Sequence, residues 1–364
     1  MRLLKLTLES FRSYRDLTLP LENSDNGVFV LLGENATGKT NILESISVLA
    51  LLRSSRKAHD SDLISWEHSH YRIIGECRGD RGEQIKLEVV SQVEPRKQRA
   101  SFINDVRTPT KRYIGTLPLV TFSPDDLTLF TGSPTSRRRL IDSLLSQVSP
   151  AYLQALSEYD KAVKQRNTLL KQIREGLQKP ESLKIWDEKI AMLGAMITID
   201  RLQLFETMQV TILRELRSLG ENAKSAEFNY LRKGTGNDEQ SIQKEIFEHL
   251  EHSRERDIQI LATTVGPHRD DWTLTMDGHS IASFASRGQQ RAAILALLLL
   301  QASFLELRKG EKPVLLLDDV FSEFDEKHRA AVLHTLSENQ VIITAVELDE
   351  ALKNEAQIVS CPLS

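Results

Sequence analysis

Residues 27–46 read GVFVLLGENATGKTNILESI, and the fold turns on them. Val28 to Leu32 is a short apolar run of the kind that forms a buried strand. Gly33-Glu34-Asn35-Ala36-Thr37-Gly38-Lys39-Thr40 follows, then a segment from roughly Lys39 to Leu52 patterned as an amphipathic helix. Strand, glycine-bounded loop and helix in that order match G-x-x-x-x-G-K-[ST] in the context that gives the motif meaning. The backbone N–H groups of such a loop cradle the α- and β-phosphates of a nucleotide. Lys39 is then a point charge for the β- and γ-phosphates, and Thr40 offers a hydroxyl to Mg²⁺. The expected ATP contacts run from Gly33 through Glu34, Asn35, Ala36, Thr37, Gly38, Lys39 and Thr40 to Asn41.

A phosphate loop needs a metal carboxylate from elsewhere. Val314-Leu315-Leu316-Leu317-Asp318-Asp319 is a continuously apolar strand that delivers two acids at its C-terminal edge, where ligands bind in open α/β sheets. Asp318 is the expected Mg²⁺ ligand, and Asp319 the residue that orients or deprotonates the attacking water. Upstream, Ser286 to Leu307 reads SRGQQRAAILALLLLQASFLEL. Its uninterrupted apolar run, Ala292 to Leu300, is nine residues, against the ~20 that a membrane span needs. A core helix is the better reading, and its polar start has the free N–H groups and dipole of an anion site. Ser286, Gly288 and Gln289 are therefore expected at the γ-phosphate of ATP.

The rest of the chain is consistent with this. It has 364 residues, 40% hydrophobic and 27% charged, the balance of a globular protein. MRLLKLTLESFRSYRDLTL alternates like a strand rather than a secretory signal. Cys77 and Cys361 have neither disulfide nor metal spacing, which suits a reducing cytoplasm. A net charge of −4 exerts no global pull on nucleic acid, so any DNA contact needs a local patch. Short strands are expected at LLKLTLE, DLTLPL, GVFVLLG, YRIIGEC, IKLEVVSQV and LPLVTF. From Ser149-Pro150, a capping Ser before a first-turn Pro, long helices are expected over about 150–177, 181–219 and 239–260. After Thr264 the α/β alternation resumes, with TLTMDG, KPVLLLDDV and QVIITAV as strands and HRAAVLHTL as a helix. The organisation expected is an α/β head from residues 1–130 and 263–364, with a helical arm, 131–262, inserted.

A phosphate loop, a Ser-x-Gly-Gln stretch opening a helix, and an acid-ended strand 32 residues after Ser286 together resemble the ATP-binding-cassette heads of the SMC and Rad50 group. FRSYRDLTL, RSSRKAHDSDLI, FSPDDLTLFTGSPTSRRRLID, TTVGPHRDD and SRGQQR resemble the bacterial RecF DNA-repair family over most of both head segments. The resemblance implies an ABC-type P-loop ATPase head and an ATP-dependent homodimer in which Ser286 of one copy meets nucleotide held by Lys39 of the other. It also implies DNA as partner, action at gaps with the RecO and RecR mediators to promote RecA loading, and no membrane. Phe321-Ser322-Glu323-Phe324-Asp325 stands where such heads have a Ser-x-Leu-Asp loop. The chain departs from the family pattern at Ala36-Thr37, where Gly-Ala is usual. It departs from transporter cassettes at Asp319, where they have Glu, and at Thr344, where they have a switch His. Weak hydrolysis fits these departures.

Three basic clusters are candidate DNA contacts: Arg53, Arg56 and Lys57; Arg96, Lys97, Arg99, Arg107, Lys111 and Arg112; and Arg137, Arg138 and Arg139, which serve equally well as structural residues. His268 and Arg269 lack a nucleophile partner and suit a linking loop better than catalysis. Two alternatives remain: a transporter's nucleotide-binding subunit, disfavoured by the inserted arm and missing His, and an SMC-type protein, which needs far longer helices.

Overall fold

The computed structural model describes residues 1–22, 27–56, 58–319, 338–347 and 356–361. Lys57, the Phe321–Asp325 loop and the expected HRAAVLHTL helix lie outside them. Two compact units form, a head (Met1–Leu129, Arg214–Asn222 and Ser286–Ser364) and an arm (Phe130–Leu213 and Ala223–Ala285).

The head opens with β1 (Arg2–Phe11), β2 (Tyr14–Pro20), β3 (Val28–Leu32), α1 (Lys39–Leu51), α2 (Asp60–Leu63), β4 (His70–Arg78), β5 (Gln84–Gln92), β6 (Gln98–Ile103), β7 (Val106–Arg107), α3 (Thr110–Tyr113) and β8 (Leu119–Phe122). The arm then supplies α4 (Pro134–Val148), α5 (Pro150–Arg174) and α6 (Lys184–Gln209). Next come α7 (Ile212–Ser218), β9 (Ala226–Leu231), α8 (Glu239–His252), α9 (Arg254–Ile260), β10 (Asp271–Met276), β11 (His279–Ser280) and α10 (Ile281–Phe284). The chain closes the head with α11 (Arg287–Lys309), β12 (Val314–Leu317), β13 (Gln340–Ala345) and β14 (Ala356–Ser360).

Two sheets make the head. One is antiparallel, in the order β2-β1-β4-β5-β6-β7. The other is parallel, in the order β14-β3-β13-β12-β8. Helix α1 touches strands of both, so it is buried on nearly every face from Ile42 to Leu51 rather than amphipathic as its sequence suggests. A helix buried between two layers must satisfy its polar residues internally, as Ser45 Oγ does on the carbonyl of Ile42 at 2.7 Å. Its side chains join β1, β4, β5 and β3 in one core. The β6–β7 hairpin, absent from the sequence reading, turns at Asn104-Asp105, both at positive φ (49° and 64°), as a tight two-residue turn demands.

Helix α11 is long and apolar enough to cross a membrane, yet 67% of its apolar window is buried inside the protein. It is a core helix capped by Gly310 in the left-handed conformation.

In the arm, Ser149 accepts from the N–H of Tyr152 and Pro150 opens α5, as the sequence indicates. The single helix expected over 181–219 is instead a 3₁₀ turn (Pro180–Leu183), α6 and α7. Residues 263–285, assigned to the head from sequence, group with the arm, because TLTM of β10 pairs antiparallel with β9 from Ala226 to Leu231. Trp272 on β10 is fully buried against Phe130, Phe205 and Phe228. Arg166 of α5 ties α6 and α9 together through Asp187 at 2.7 Å and Asp257 at 2.6 Å, all three wholly buried.

Candidate nucleotide site

The loop after β3 wraps around its own lysine. Lys39 is buried to 8% exposure, and its Nζ donates to the carbonyls of Gly33 and Glu34, both at 2.6 Å. These carbonyls fold the ammonium back onto its own loop. Thr37 Oγ1 closes the turn on the carbonyl of Glu34 at 2.8 Å. Ala36 has φ +67°, a left-handed conformation that the glycine usual at this position takes freely and that Ala takes at a cost of about 1–2 kcal/mol. Gly38 at φ +95° caps α1, and a Cβ there would come within 2.5 Å of Tyr14 Oη, so both the backbone angle and the space exclude any other residue. Burial pushes the Tyr14 phenol up to about 12.

The parallel sheet carries the acids to this loop. β12 lies between β8 and β13, and Asp318 leaves its C-terminal end with its N–H on the carbonyl of Phe122 at 2.9 Å. Thr40 Oγ1 donates to Asp318 Oδ1 at 3.1 Å, and Thr344 Oγ1 donates to the same oxygen at 2.7 Å. Thr344 also accepts from the N–H of Asp319 at 2.8 Å. Thr344, noted in the sequence only as the place of a missing His, thus orients the Asp318 carboxylate and holds the backbone of Asp319. A hydroxyl and a carboxylate side by side, next to a phosphate loop, fit the protein's share of a Mg²⁺ site, since Mg²⁺ takes few protein ligands and fills its octahedron with waters and phosphates. Asp319 sits at φ +48°, a strained turn immediately beyond the strand.

The helix that carries Thr40 is itself clamped. Glu44 on α1 is fully buried and receives Arg12 Nε at 2.8 Å and Nη2 at 2.9 Å, and the Ser54 hydroxyl. Ser13 Oγ accepts from Asn41 Nδ2 at 3.0 Å. The FRSYRDLTL and RSSRKAHDSDLI stretches therefore meet on the phosphate-loop helix. Nothing in their spacing announced this, since Glu44 looked like an ordinary helix residue.

At the start of α11, Ser286 and Gln289 form a reciprocal cap. Gln289 N donates to Ser286 Oγ at 3.2 Å, and Ser286 N donates to Gln289 Oε1 at 2.9 Å. The Gln289 side-chain oxygen is thus engaged within the chain. Gly288 is exposed, and a Cβ there would meet nothing closer than Ser286 Oγ at 3.8 Å. The fold of the single chain gives no reason for glycine at that position.

The basic candidates separate. Arg53, Arg56, Arg96, Lys97, Arg99, Arg107, Lys111 and Arg112 are exposed, with Arg99 paired to Asp60 at 3.2 Å. Arg137, by contrast, is buried and grips Asp271 with Nε at 2.7 Å and Nη2 at 2.8 Å. Arg138 donates to the carbonyl of Asp270 at 2.8 Å. These two arginines lock α4 to β10. His268 has both ring nitrogens occupied, by Tyr159 Oη at 2.7 Å and the Thr263 carbonyl at 3.0 Å. Burial pushes it down to about 4, so it is a neutral structural residue.

The RecF/RecN/SMC N-terminal domain matches residues 2–360. The RecF DNA replication and repair protein of Moorella thermoacetica is 37% identical over 94% of this chain and 90% of its own length. That of Geobacillus thermodenitrificans is 35% identical over 96% and 94%. The chain belongs to the RecF family. A solved structure of the recombination mediator protein RecF-ATPrS in the RecFOR pathway aligns with a TM-score of 0.90 at 30% identity, covering 99% of this chain and 95% of that one. The Smc head of Pyrococcus furiosus aligns at 0.52 with 14% identity, which reflects a shared fold. The RecF-family chain thus carries the ABC-type P-loop ATPase head read from its phosphate loop, and with it an ATP site.

Proposed function

We propose that this chain is an ATP-gated DNA-binding protein of recombinational repair. The observation that carries the reading is the convergence of Lys39, Thr40 and Asp318, from opposite ends of the sequence, at one loop. Lys39 moves from the loop carbonyls onto the β- and γ-phosphates. Thr40 and Asp318 hold Mg²⁺, which neutralises phosphate charge when bound. Asp319, shorter than the Glu of transporter cassettes, positions water less closely, and hydrolysis is slow. ATP then serves mainly as a clamp signal. Gly288 supports a cross-subunit role for Ser286, Gly288 and Gln289. An exposed helical glycine with free space around it is explained by close approach of a second copy's nucleotide.

Dimerisation closes the two copies on duplex DNA at gaps, where RecO and RecR join and RecA is loaded. The exposed clusters at Arg53–Arg56 and Arg96–Arg112 contact backbone phosphates without reading sequence. The test is sedimentation with ATP, with ADP and with neither, on a gapped duplex. ATP alone should give the dimer and tight DNA binding, and Ser286→Arg should keep ATP binding while abolishing the dimer. Equal DNA affinity in all three states, or dimers retained by Ser286→Arg, contradicts the proposal.

A further inference from the structure

The TTVGPHRDD stretch of the arm has no part in the phosphate site. Most of its side chains hold the loop in place. Thr263 Oγ1 donates to Asn167 Oδ1 and Thr264 Oγ1 to Asp257 Oδ1, both at 2.7 Å. His268 is fixed at both ring nitrogens, Asp270 accepts from Tyr230 Oη at 2.9 Å, and Asp271 is gripped by Arg137. Arg269 is the exception. It is exposed, and Nε alone of its guanidinium is engaged, on the Thr263 carbonyl at 3.0 Å. Among the described residues no carboxylate pairs with it.

This loop walls a cavity. Asp271 pairs with Leu231, which sets the loop beside the end of β9, and Thr198 of α6 and Ile246 of α8 complete the lining. The space is about 350 Å³, within the ~300–1,000 Å³ of ligand sites. Val265 and Ile246 give it buried apolar walls, and Leu231 lines it half exposed. Lys233 and Arg269 line it too. Arg232 is neutralised by Glu245 at 2.9 Å, whereas Lys233 is exposed and, among the described residues, has no carboxylate partner. Two uncompensated cations therefore stand beside an apolar hollow.

Charge and shape select the occupant. Asp270, only 8% exposed, also lines the cavity, so a nucleic-acid backbone threaded through it would meet a carboxylate. Tyr230 offers no platform for a base, because its hydroxyl is held by Arg201 at 3.1 Å and by Asp270, and its ring packs on Phe205. A second cleft of about 370 Å³ shares Tyr230 and Arg232 as lining, which suits an extended chain better than a compact small molecule.

We propose that this hollow of the arm docks an acidic peptide segment of a partner protein, with one apolar side chain beside Val265 and flanking carboxylates on Lys233 and Arg269. The site is independent of ATP binding, because every residue that lines it belongs to the arm. The probes are fluorescein-labelled peptides with two Asp on each side of a single Leu, Ile, Met, Phe or Trp, read by anisotropy against the full chain. At least one should bind with micromolar affinity. Exchanging its apolar residue for Ala should weaken binding about 10- to 100-fold, the loss of one buried apolar side chain. Lys233→Glu combined with Arg269→Glu should weaken it about 10- to 100-fold, with the melting temperature and Mg²⁺-ATP binding unchanged. Lys233→Glu alone, which breaks no bond within the chain, should still weaken it several-fold, so the test survives if the double variant folds poorly. Failure of all five peptides to bind overturns the proposal. Full binding by the charge-reversed variants overturns it by placing the peptide elsewhere. An Ala peptide that binds as tightly as the apolar ones overturns it by leaving the cavity unused. Weakened binding of a gapped duplex by the variants, with no peptide bound to wild type, overturns it by assigning both cations to DNA.

Discussion

Cutting the clamp on the phosphate-loop helix tests whether the two motifs flanking that helix act together. Glu44 has no solvent exposure and Arg12 is 22% exposed, so Glu44 depends on its partners for charge compensation. Removing Arg12 leaves a buried carboxylate with only the Ser54 hydroxyl, and breaking a buried pair from one side costs about 3–5 kcal/mol. Glu44→Ala removes the paired hydrogen bonds and some packing, and falls in the same range. The double variant loses the pair once, not twice. Two charge-assisted bonds at 2.8 and 2.9 Å, each worth ~1.5–3 kcal/mol, put the expected coupling energy at about 3 kcal/mol, the low end of their sum. Arg12→Lys keeps the charge and loses the fork, and should recover less than half of the loss. Urea unfolding of the four proteins at constant slope gives the cycle, and each single variant should melt ~6–20 °C lower. Additive effects within ~0.5 kcal/mol would refute the reasoning, because the motifs would then stabilise the head independently.

Thr344→Val removes the hydroxyl shared by Asp318 and Asp319, and should weaken Mg²⁺-dependent nucleotide binding about 5- to 10-fold, read by Mg²⁺ titration at fixed ATP. Gly288→Ala should leave the free protein as stable or about 0.5–1 kcal/mol more stable while weakening ATP-induced dimers in sedimentation. Asp270 is pushed up to about 6 by burial, so its neutral form is favoured in the fold and ionisation opposes folding as pH rises from about 4 to 6. Asp270→Asn should match wild-type stability near pH 4 and exceed it by ~1–3 kcal/mol at pH 7. His268 titrates in the opposite sense over a similar range, losing stability as pH falls towards 4, so the difference between variants isolates the carboxyl.

Local features were legible in the sequence. The phosphate loop, the strands beside it and the cap of α5 depend on neighbours in the chain. Pairings over long separations were not. Glu44 and Arg12 are 32 residues apart, and Arg137 and Asp271 are 134 apart, so nothing local distinguishes a buried charge from a solvated one. β9 was missed for the same reason, whereas β10 was read as a strand and only its membership of the arm was not. AEFNYL alone is a weak strand, and only its pairing draws residues 271–276 into the arm. The positive charges of residues 95–113 hid a hairpin, because the reading followed charge where the Asn104-Asp105 turn was the informative signal. Thr40 and Asp318, 278 residues apart, could be joined beforehand only because each belongs to a recognisable motif.

Strand β3 is flanked by β13 and β14, and the N–H of Cys361 reaches the Leu32 carbonyl at 2.6 Å. During synthesis, the segment that will hold the triphosphate emerges early with both its edges bare. At 5–20 residues per second, roughly 15–60 s pass before its neighbours are made. Throughout that interval the nascent chain presents an apolar, self-complementary edge. This head must therefore be shielded by chaperones or by its own antiparallel sheet until the ribosome has almost finished, and slowing translation of the arm should raise its aggregation.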